Sequence, residues 1–222
     1  MKTTAIIVAA GSGSRFNSAT PKQFLEIQGK PVIVHTIERF QSAPSIDSIV
    51  LVLSEEQISK FDRSAFSKVT SVIAGGATRA QSVMSGLAAI EDETEIVAVH
   101  DGARPLVTAD EIERTISKAK ETGAACLAAP VTDTIKSIRG GEIAATLDRD
   151  RLRRALTPQA FKIEILRKAF ESAVLDESVT DECCLVEKLG YPIAVVEGSA
   201  RNIKITHAQD LALAEALLEE QL

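Results

Sequence analysis

Three short stretches carry residue types that can handle a polyphosphate. The first is Ala9-Ala10-Gly11-Ser12-Gly13-Ser14-Arg15-Phe16, followed shortly by Pro21-Lys22-Gln23. Glycines let the backbone curl until its N–H groups face an anion. Arg15 and Lys22 add charge whose effect grows as a phosphorus centre gains negative charge. No Gly-Lys-Ser/Thr follows the glycines, so this is not a Walker loop. Phe16 stands where a dinucleotide fingerprint needs its third glycine. A tight turn with solvent-facing cations is the plain alternative, and the added Arg15 and Pro21-Lys22 favour phosphate binding over it.

The second stretch is Gly75-Gly76-Ala77-Thr78-Arg79-Ala80-Gln81-Ser82. It ends a strand and opens a helix, so it offers free N–H groups and a positive dipole end. The Ser82 hydroxyl, one turn beyond Thr78, can reach a base or a phosphate. The stretch reads equally as a capped helix start with Arg79 in solvent. The third is His100-Asp101-Gly102-Ala103-Arg104-Pro105. Asp101 can hold a divalent cation that bridges phosphates, and Arg104 can bind an anionic acceptor. His100 at a buried strand end reads as structural, because transfer to a phosphate oxygen needs no base.

Ligands in open α/β sheets bind at the carboxyl ends of strands, and the elements around these stretches supply such ends. Apolar runs at 3–10, 47–53, 68–74, 95–99, 124–131 and 193–196 read as strands. Helical patterns over 31–40, 78–90, 108–122, 162–173, 180–189 and 207–219 alternate with most of them. Thr108 can cap its helix and Gly123 can stop it. The order predicts an α/β fold with a doubly wound, mostly parallel sheet in one domain spanning 1–222. The pattern breaks over about 132–160. Residues 134–138 and 143–147 alternate polar and apolar around Gly140-Gly141, a hairpin signal. Its polarity makes it an arm leaving the main body. Cys183-Cys184 has no His or Lys at motif spacing and reads as core packing.

At 222 residues the chain can bury a substantial core, and 45% hydrophobic with 25% charged residues is an ordinary globular composition. The net charge of −6 argues against a nucleic-acid coat, which needs a basic face. No apolar run approaches the ~20 residues that span a bilayer, so no membrane association is expected. The N-terminus lacks a basic region and a small-residue cleavage site, so no signal peptide is expected. Three cysteines without paired spacing suggest neither disulfides nor zinc, and reduced thiols predict a cytoplasmic protein.

Ala9-Ala10-Gly11-x-Gly13-x-Arg15, Pro21-Lys22-Gln23, His100-Asp101-Gly102-Ala103-Arg104-Pro105, Ala155-Leu156-Thr157-Pro158-Gln159 and Asn202-Ile203-Lys204-Ile205-Thr206 occur in this order. Together they span nearly the whole chain, which resembles the 2-C-methyl-D-erythritol 4-phosphate cytidylyltransferase family. The resemblance implies transfer of the cytidylyl group of CTP to 2-C-methyl-D-erythritol 4-phosphate, with Mg²⁺, in a homodimer. It implies that Arg15 and Lys22 stabilise the transition state. It places Ala9, Ala10, Gly11, Ser12, Gly13, Arg15, Lys22, Gly76, Ser82 and Asp101 at CTP, with Asp101 also near the metal. Asp101, Arg104, Thr180 and Lys204 would meet the acceptor, joined by Thr134 and Arg149 from the partner subunit. The polar hairpin fits that family's dimerisation arm. Ribitol-5-phosphate cytidylyltransferase shares the glycine-rich loop and Pro-Lys-Gln, and a nucleotide-binding module without turnover is the alternative from another class.

Overall fold

The computed structural model describes residues 1–11, 16, 21–175 and 179–220. Strand β1 (Lys2–Val8) is followed, after a 3-10 turn at Lys22–Phe24, by the short hairpin of β2 (Glu26–Ile27) and β3 (Lys30–Pro31). Next come α1 (Val32–Ser42), β4 (Ser48–Leu53), α2 (Glu55–Ile58), β5 (Val69–Ala74), α3 (Arg79–Ala88), β6 (Thr94–Asp101), α4 (Ala109–Thr122) and β7 (Ala124–Pro130). A second hairpin, β8 (Lys136–Arg139) with β9 (Glu142–Thr146), precedes β10 (Arg153–Lys162), α5 (Ile163–Glu171), α6 (Glu182–Lys188), β11 (Ala194–Glu197) and α7 (Ala208–Glu219).

Seven strands form one sheet in the order β11-β7-β10-β6-β1-β4-β5. β6, β1, β4 and β5 run parallel, as do β11 and β7, while β10 is antiparallel to both its neighbours. The sheet is therefore mostly parallel and doubly wound, as expected. Side chains alternate across it with the period of two that a strand imposes. Ala5, Ile7, Leu51 and Ala98 face a cluster with Ile37 and Phe40 of α1 and Ile112 and Ile116 of α4. Ile6, Val50, Val52, Val97 and Val99 face the other cluster, with Val83 of α3, Leu166 of α5 and Val186 of α6. Each fully buried Ile or Val in these layers contributes roughly 1.5–3 kcal/mol.

Local chemistry sets the helix ends. Thr108 accepts from the Glu111 N–H at 3.2 Å while Glu111 accepts from the Thr108 N–H at 2.9 Å, a reciprocal cap. Gly123 ends α4 at φ 91°, in the left-handed region where a Cβ is costly. Cys183 packs in the core and Cys184 is half-buried, in keeping with a packing role.

The expected arm over 132–160 is shorter in the structure. The turn at Gly140-Gly141 is present, and β8 and β9 are almost wholly exposed. Residues 153–162, however, form the sheet strand β10, with Ala155 and Ala160 paired to Ala128 and Ala125 of β7. Leu156, Ala160 and Phe161 are buried. Two smaller differences concern the site. β6 runs on through His100 and Asp101, which the sequence placed beyond the strand. α6 begins at Glu182, leaving Thr180 ahead of its N-cap, Asp181.

Candidate active site

The strand order reverses between β1 and β6. From β1 the chain steps through β4 to β5, then α3 carries it back across to β6 on the other side of β1. Loops leaving such neighbours splay apart and open a crevice at their carboxyl ends. A cavity of about 460 Å³ lies there, walled by Val8 to Gly11 after β1, Gly76 to Arg79 after β5, and Asp101 and Ala103 after β6. Lys22, Gln23, Lys204 and Thr206 close it from the side.

Small residues let these loops approach one another. A Cβ on Gly75 would stand 2.3 Å from the Ala10 Cβ and 2.7 Å from the Ser82 Oγ. The amide of Gln23, buried beneath the first loop, donates to the Ala9 carbonyl at 2.6 Å and the Gly11 carbonyl at 3.0 Å. It pins the loop's entry. The Ser82 hydroxyl lines the cavity but is already engaged: it accepts from the Gly76 N–H at 3.1 Å and donates to the Thr78 carbonyl at 3.0 Å. Its role here is to fix the Gly76 loop. Thr78 and Gln81 cap α3 reciprocally.

The cavity wall is cationic. Lys22, Arg79 and Lys204 line it against one carboxylate, Asp101. The Lys22 ammonium donates to the Ile205 carbonyl at 2.6 Å, and the Ile205 N–H donates to the Ala103 carbonyl. Ile205 belongs to a third apolar cluster, with Ile27, Val32, Leu106, Ala214 and Leu218. This cluster holds both lysines at the cleft.

Asp101 lies at the centre of a buried ion network. Its Oδ1 accepts from the Arg79 Nε at 2.9 Å, and its Oδ2 from the Lys204 Nζ at 3.0 Å and the Arg104 Nε at 3.3 Å. Arg79 also grips the Glu182 carboxylate with both terminal nitrogens, at 2.6 and 3.0 Å. Burial opposes ionisation of Asp101, and Arg79, Lys204 and Arg104 together outweigh it, holding the carboxyl well below its ordinary range. Burial also opposes the charge on Arg79, and Glu182 with Asp101 outweigh it and raise its pKa. Burial pushes the Glu182 carboxyl up against the pull of Arg79.

Behind Asp101, His100 is fully buried and its pKa is lowered to about 3 by that burial. The Thr157 hydroxyl accepts from the Asp101 N–H, so its proton goes to the His100 Nδ1 at 3.0 Å, and Nε2 donates to the Arg104 carbonyl. A neutral imidazole with a fixed tautomer is a structural pin, as the sequence suggested. Gln159 anchors α6: its carbonyl accepts from the Glu182 and Cys183 N–H groups, both at 3.1 Å, and its amide donates to Asp181 at 2.8 Å.

Of the sequence-derived candidates, Ala9, Ala10, Gly11, Lys22, Gly76, Ser82, Asp101 and Lys204 converge on the cavity. Ser12, Gly13 and Arg15 lie outside the described residues. Arg104 stands behind the wall, bonded to Asp101 and to the Asn202 carbonyl. Thr180 is exposed and does not line the cavity; Thr134 and Arg149 sit on and beside the arm. Arg149 donates to the Thr132 carbonyl at 2.8 Å and pairs with neither flanking Asp. Arg79, which one of the two even readings of its stretch put in solvent, is half-buried between two acids. Sequence reasoning gave no site role to Arg79, Glu182, Gln159 or Gln23. Arg79, Gln159 and Gln23 stood in quoted stretches, which was their one visible signal.

A resident divalent cation fits these residues poorly. Both oxygens of Asp101 already accept from cations, and among the described residues no three His, Cys, Asp or Glu side chains converge on one point. Mg²⁺ asks for a near-octahedral set of oxygens. The expectation that Asp101 holds the metal is not met by this geometry.

A doubly wound sheet with a glycine-lined, cationic crevice at its switch point defines a nucleotidyltransferase of the Rossmann-like class. The family model of 2-C-methyl-D-erythritol 4-phosphate cytidylyltransferase matches residues 3–220. The chain is 44% identical to the protein of that name from Syntrophus aciditrophicus, covering 99% of this chain and 97% of the relative. It is 41% identical to the one from Geobacter metallireducens, covering 100% of both. Among solved structures, the Thermus thermophilus enzyme of that name aligns with a TM-score of 0.80 at 33% identity, covering 99% of this chain and 100% of the other. The Anaerococcus prevotii 4-diphosphocytidyl-2C-methyl-D-erythritol synthase gives 0.85 at 29% identity, over 98% and 96%. The chain belongs to the 2-C-methyl-D-erythritol 4-phosphate cytidylyltransferase family.

Proposed function

We propose that this enzyme transfers the cytidylyl group of CTP to 2-C-methyl-D-erythritol 4-phosphate, yielding 4-diphosphocytidyl-2-C-methyl-D-erythritol and pyrophosphate. The observation that carries the reading is the convergence of Lys22, Arg79 and Lys204 on one glycine-lined cavity in a member of this family. An acceptor phosphate oxygen attacks the α-phosphorus as the bond to the β-phosphate oxygen breaks. Nucleophile and electrophile are both anionic, so catalysis rests on positioning and charge neutralisation.

The triphosphate lies along Ala9 to Gly13 and Gly76, with Arg15 and Lys22 at the α-phosphate as charge builds. Lys204 and Arg104 take the acceptor phosphate beside Asp101, with Thr180 at the rim. Thr134 and Arg149 reach the site of a second subunit, which makes the enzyme a homodimer through its arm. The exposed Ile138 and Ile143, paired across β8 and β9, supply an apolar face for that contact. Mg²⁺, which the family resemblance implies, would enter with the triphosphate and would neutralise part of its charge. Free thiols favour a cytoplasmic setting, and no helix among the described residues is long and apolar enough to cross a membrane.

A pyrophosphate-release assay crossing CTP, UTP and ATP with methylerythritol phosphate and ribitol phosphate tests the assignment. Turnover with CTP and methylerythritol phosphate well above every other pair is expected. Preference for ribitol phosphate, or no pyrophosphate from any pair, overturns it.

A further inference from the structure

We propose that Asp101 is the resident counter-ion of Lys204 and Arg104, that an incoming phosphate takes these two cations by exchange with it, and that Arg79 is the positioning residue that keeps Asp101 in place through the exchange. The inference rests on the acceptor reading above only in naming which phosphate arrives.

The geometry divides the Asp101 carboxylate in two. Oδ2 faces Lys204 and Arg104, while Oδ1 is held, among the described residues, by Arg79. Lys204 is the more exposed of the pair, with about a third of its side chain accessible, so it is the cation a ligand meets first. Arg79 cannot follow the ligand, because both its terminal nitrogens are committed to Glu182, which is fully buried. Glu182 is fixed in turn by Gln159 at its backbone N–H. The chain Gln159, Glu182, Arg79, Asp101 is therefore a strut that reaches the cleft from α6.

Two consequences follow from the charges. In the ligand-free protein Asp101 keeps Lys204 and Arg104 from repelling each other and aims both at one point. That point is where a phosphate would bind, so Asp101 also competes with it. When a phosphate displaces Oδ2, two anions share a small volume. Arg79 then compensates the carboxylate and prevents its swinging toward the phosphate or taking up a proton. A guanidinium suits this place, since it spans two carboxylates at fixed angles, which an ammonium cannot do.

The test uses inorganic phosphate as the probe and calorimetric binding to the whole protein as the readout, so that it does not depend on turnover or on the identity of the acceptor. Asp101→Asn removes the competing charge and keeps the shape, and should bind phosphate roughly tenfold tighter than wild type. Arg79→Met combined with Glu182→Gln removes the strut without leaving Glu182 as an unpaired buried carboxylate, and should bind phosphate about tenfold more weakly. Adding Asp101→Asn to that pair should remove most of the weakening, because Arg79 acts through Asp101. Phosphate binding that is unchanged or weaker in folded Asp101→Asn overturns the exchange. A strut deletion whose effect is the same with and without Asp101→Asn overturns the positioning role. If the strut were structural only, its loss would lower the melting temperature and leave phosphate affinity alone, which also overturns it. Failure of the cytidylyl assay with intact phosphate exchange would instead count against the acceptor assigned above.

Discussion

Gln159 is the position where the structure makes the most definite claim about stability. It is 1% exposed, and its side chain is the partner of two N–H groups at the start of α6 and of the Asp181 carboxylate. Gln159→Met keeps the length and most of the packing but removes the acceptor and the donor. Glu182 and Cys183 are buried, and among the described residues Gln159 is the acceptor their N–H groups are shown to meet, so each group left without it costs about 1–3 kcal/mol. Losing the bond to Asp181 adds about 1.5 kcal/mol, the low end for a charged partner, since Asp181 is only half-buried. Asp181 still caps Cys184, so the helix itself should persist. The expected total is about 4–7 kcal/mol, a large share of the 5–15 kcal/mol typical of a domain. Urea unfolding followed by circular dichroism at neutral pH, wild type against variant with the slope checked for constancy, measures it. A loss below about 1 kcal/mol would mean that α6 is held by its apolar face alone, and the reasoning about buried N–H groups would fail.

Four further outcomes can be checked. His100 carries a proton readily when unfolded but not when folded, where burial has lowered its pKa to about 3. Between pH 6.5 and 3 the unfolded chain therefore binds more protons, and stability falls as the pH drops. From pH 6.5 to 5 this residue alone should cost about 2 kcal/mol, and denaturant titrations of His100→Asn should lack that component. Lys22→Ala should lower turnover by about 10²–10³ with CTP affinity changed far less, and steady-state kinetics beside a binding titration separates the two. Gly75→Ala forces a Cβ into Ala10 and Ser82, so CTP affinity should fall along with about 1–3 kcal/mol of stability, and unaffected CTP binding would contradict the loop-packing argument. Mixing inactive Arg149→Ala with inactive Lys22→Ala should restore partial activity on subunit exchange, since one site of each mixed dimer then carries neither defect; verified heterodimers that stay inactive would place Arg149 in its own subunit's site.

Much of this architecture was visible in the order of apolar runs. β1, β4, β6 and β7 are near-continuous stretches of Ile, Val, Leu and Ala, as strands covered on both faces must be. β10 was hidden, because Arg153, Arg154 and Pro158 look unlike a central strand. The pairing with β7 slips between Ala155 and Gln159, so Pro158 falls where no ladder N–H is needed, and the strand survives. β2 and β3, at two residues each, are too short for any periodicity to register. The cavity residues that follow strands were legible for the same reason as the strands. The Arg79 network was not, since its partners lie 22 and 103 residues away and nothing local to Asp-Glu-Cys-Cys announces a buried carboxylate. Lys204 likewise has no neighbour in sequence that marks it, and only the resemblance drew attention to it.

The two cleft lysines depend on the smallest of the three apolar clusters. Ile205 takes the Lys22 ammonium on its carbonyl and follows Lys204 directly, and its side chain is packed by Ile27, Val32, Ala214 and Leu218 rather than by either face of the sheet. Proteins open in cooperative pieces whose free energies run from near zero up to that of global unfolding. Ile205 and α7 form such a piece, with little buried area of their own. Amide exchange at Ile205 should then proceed through an opening that leaves Ile7 and Val99 protected. The cleft lysines should then lose their support at a lower temperature than the sheet on which the site stands.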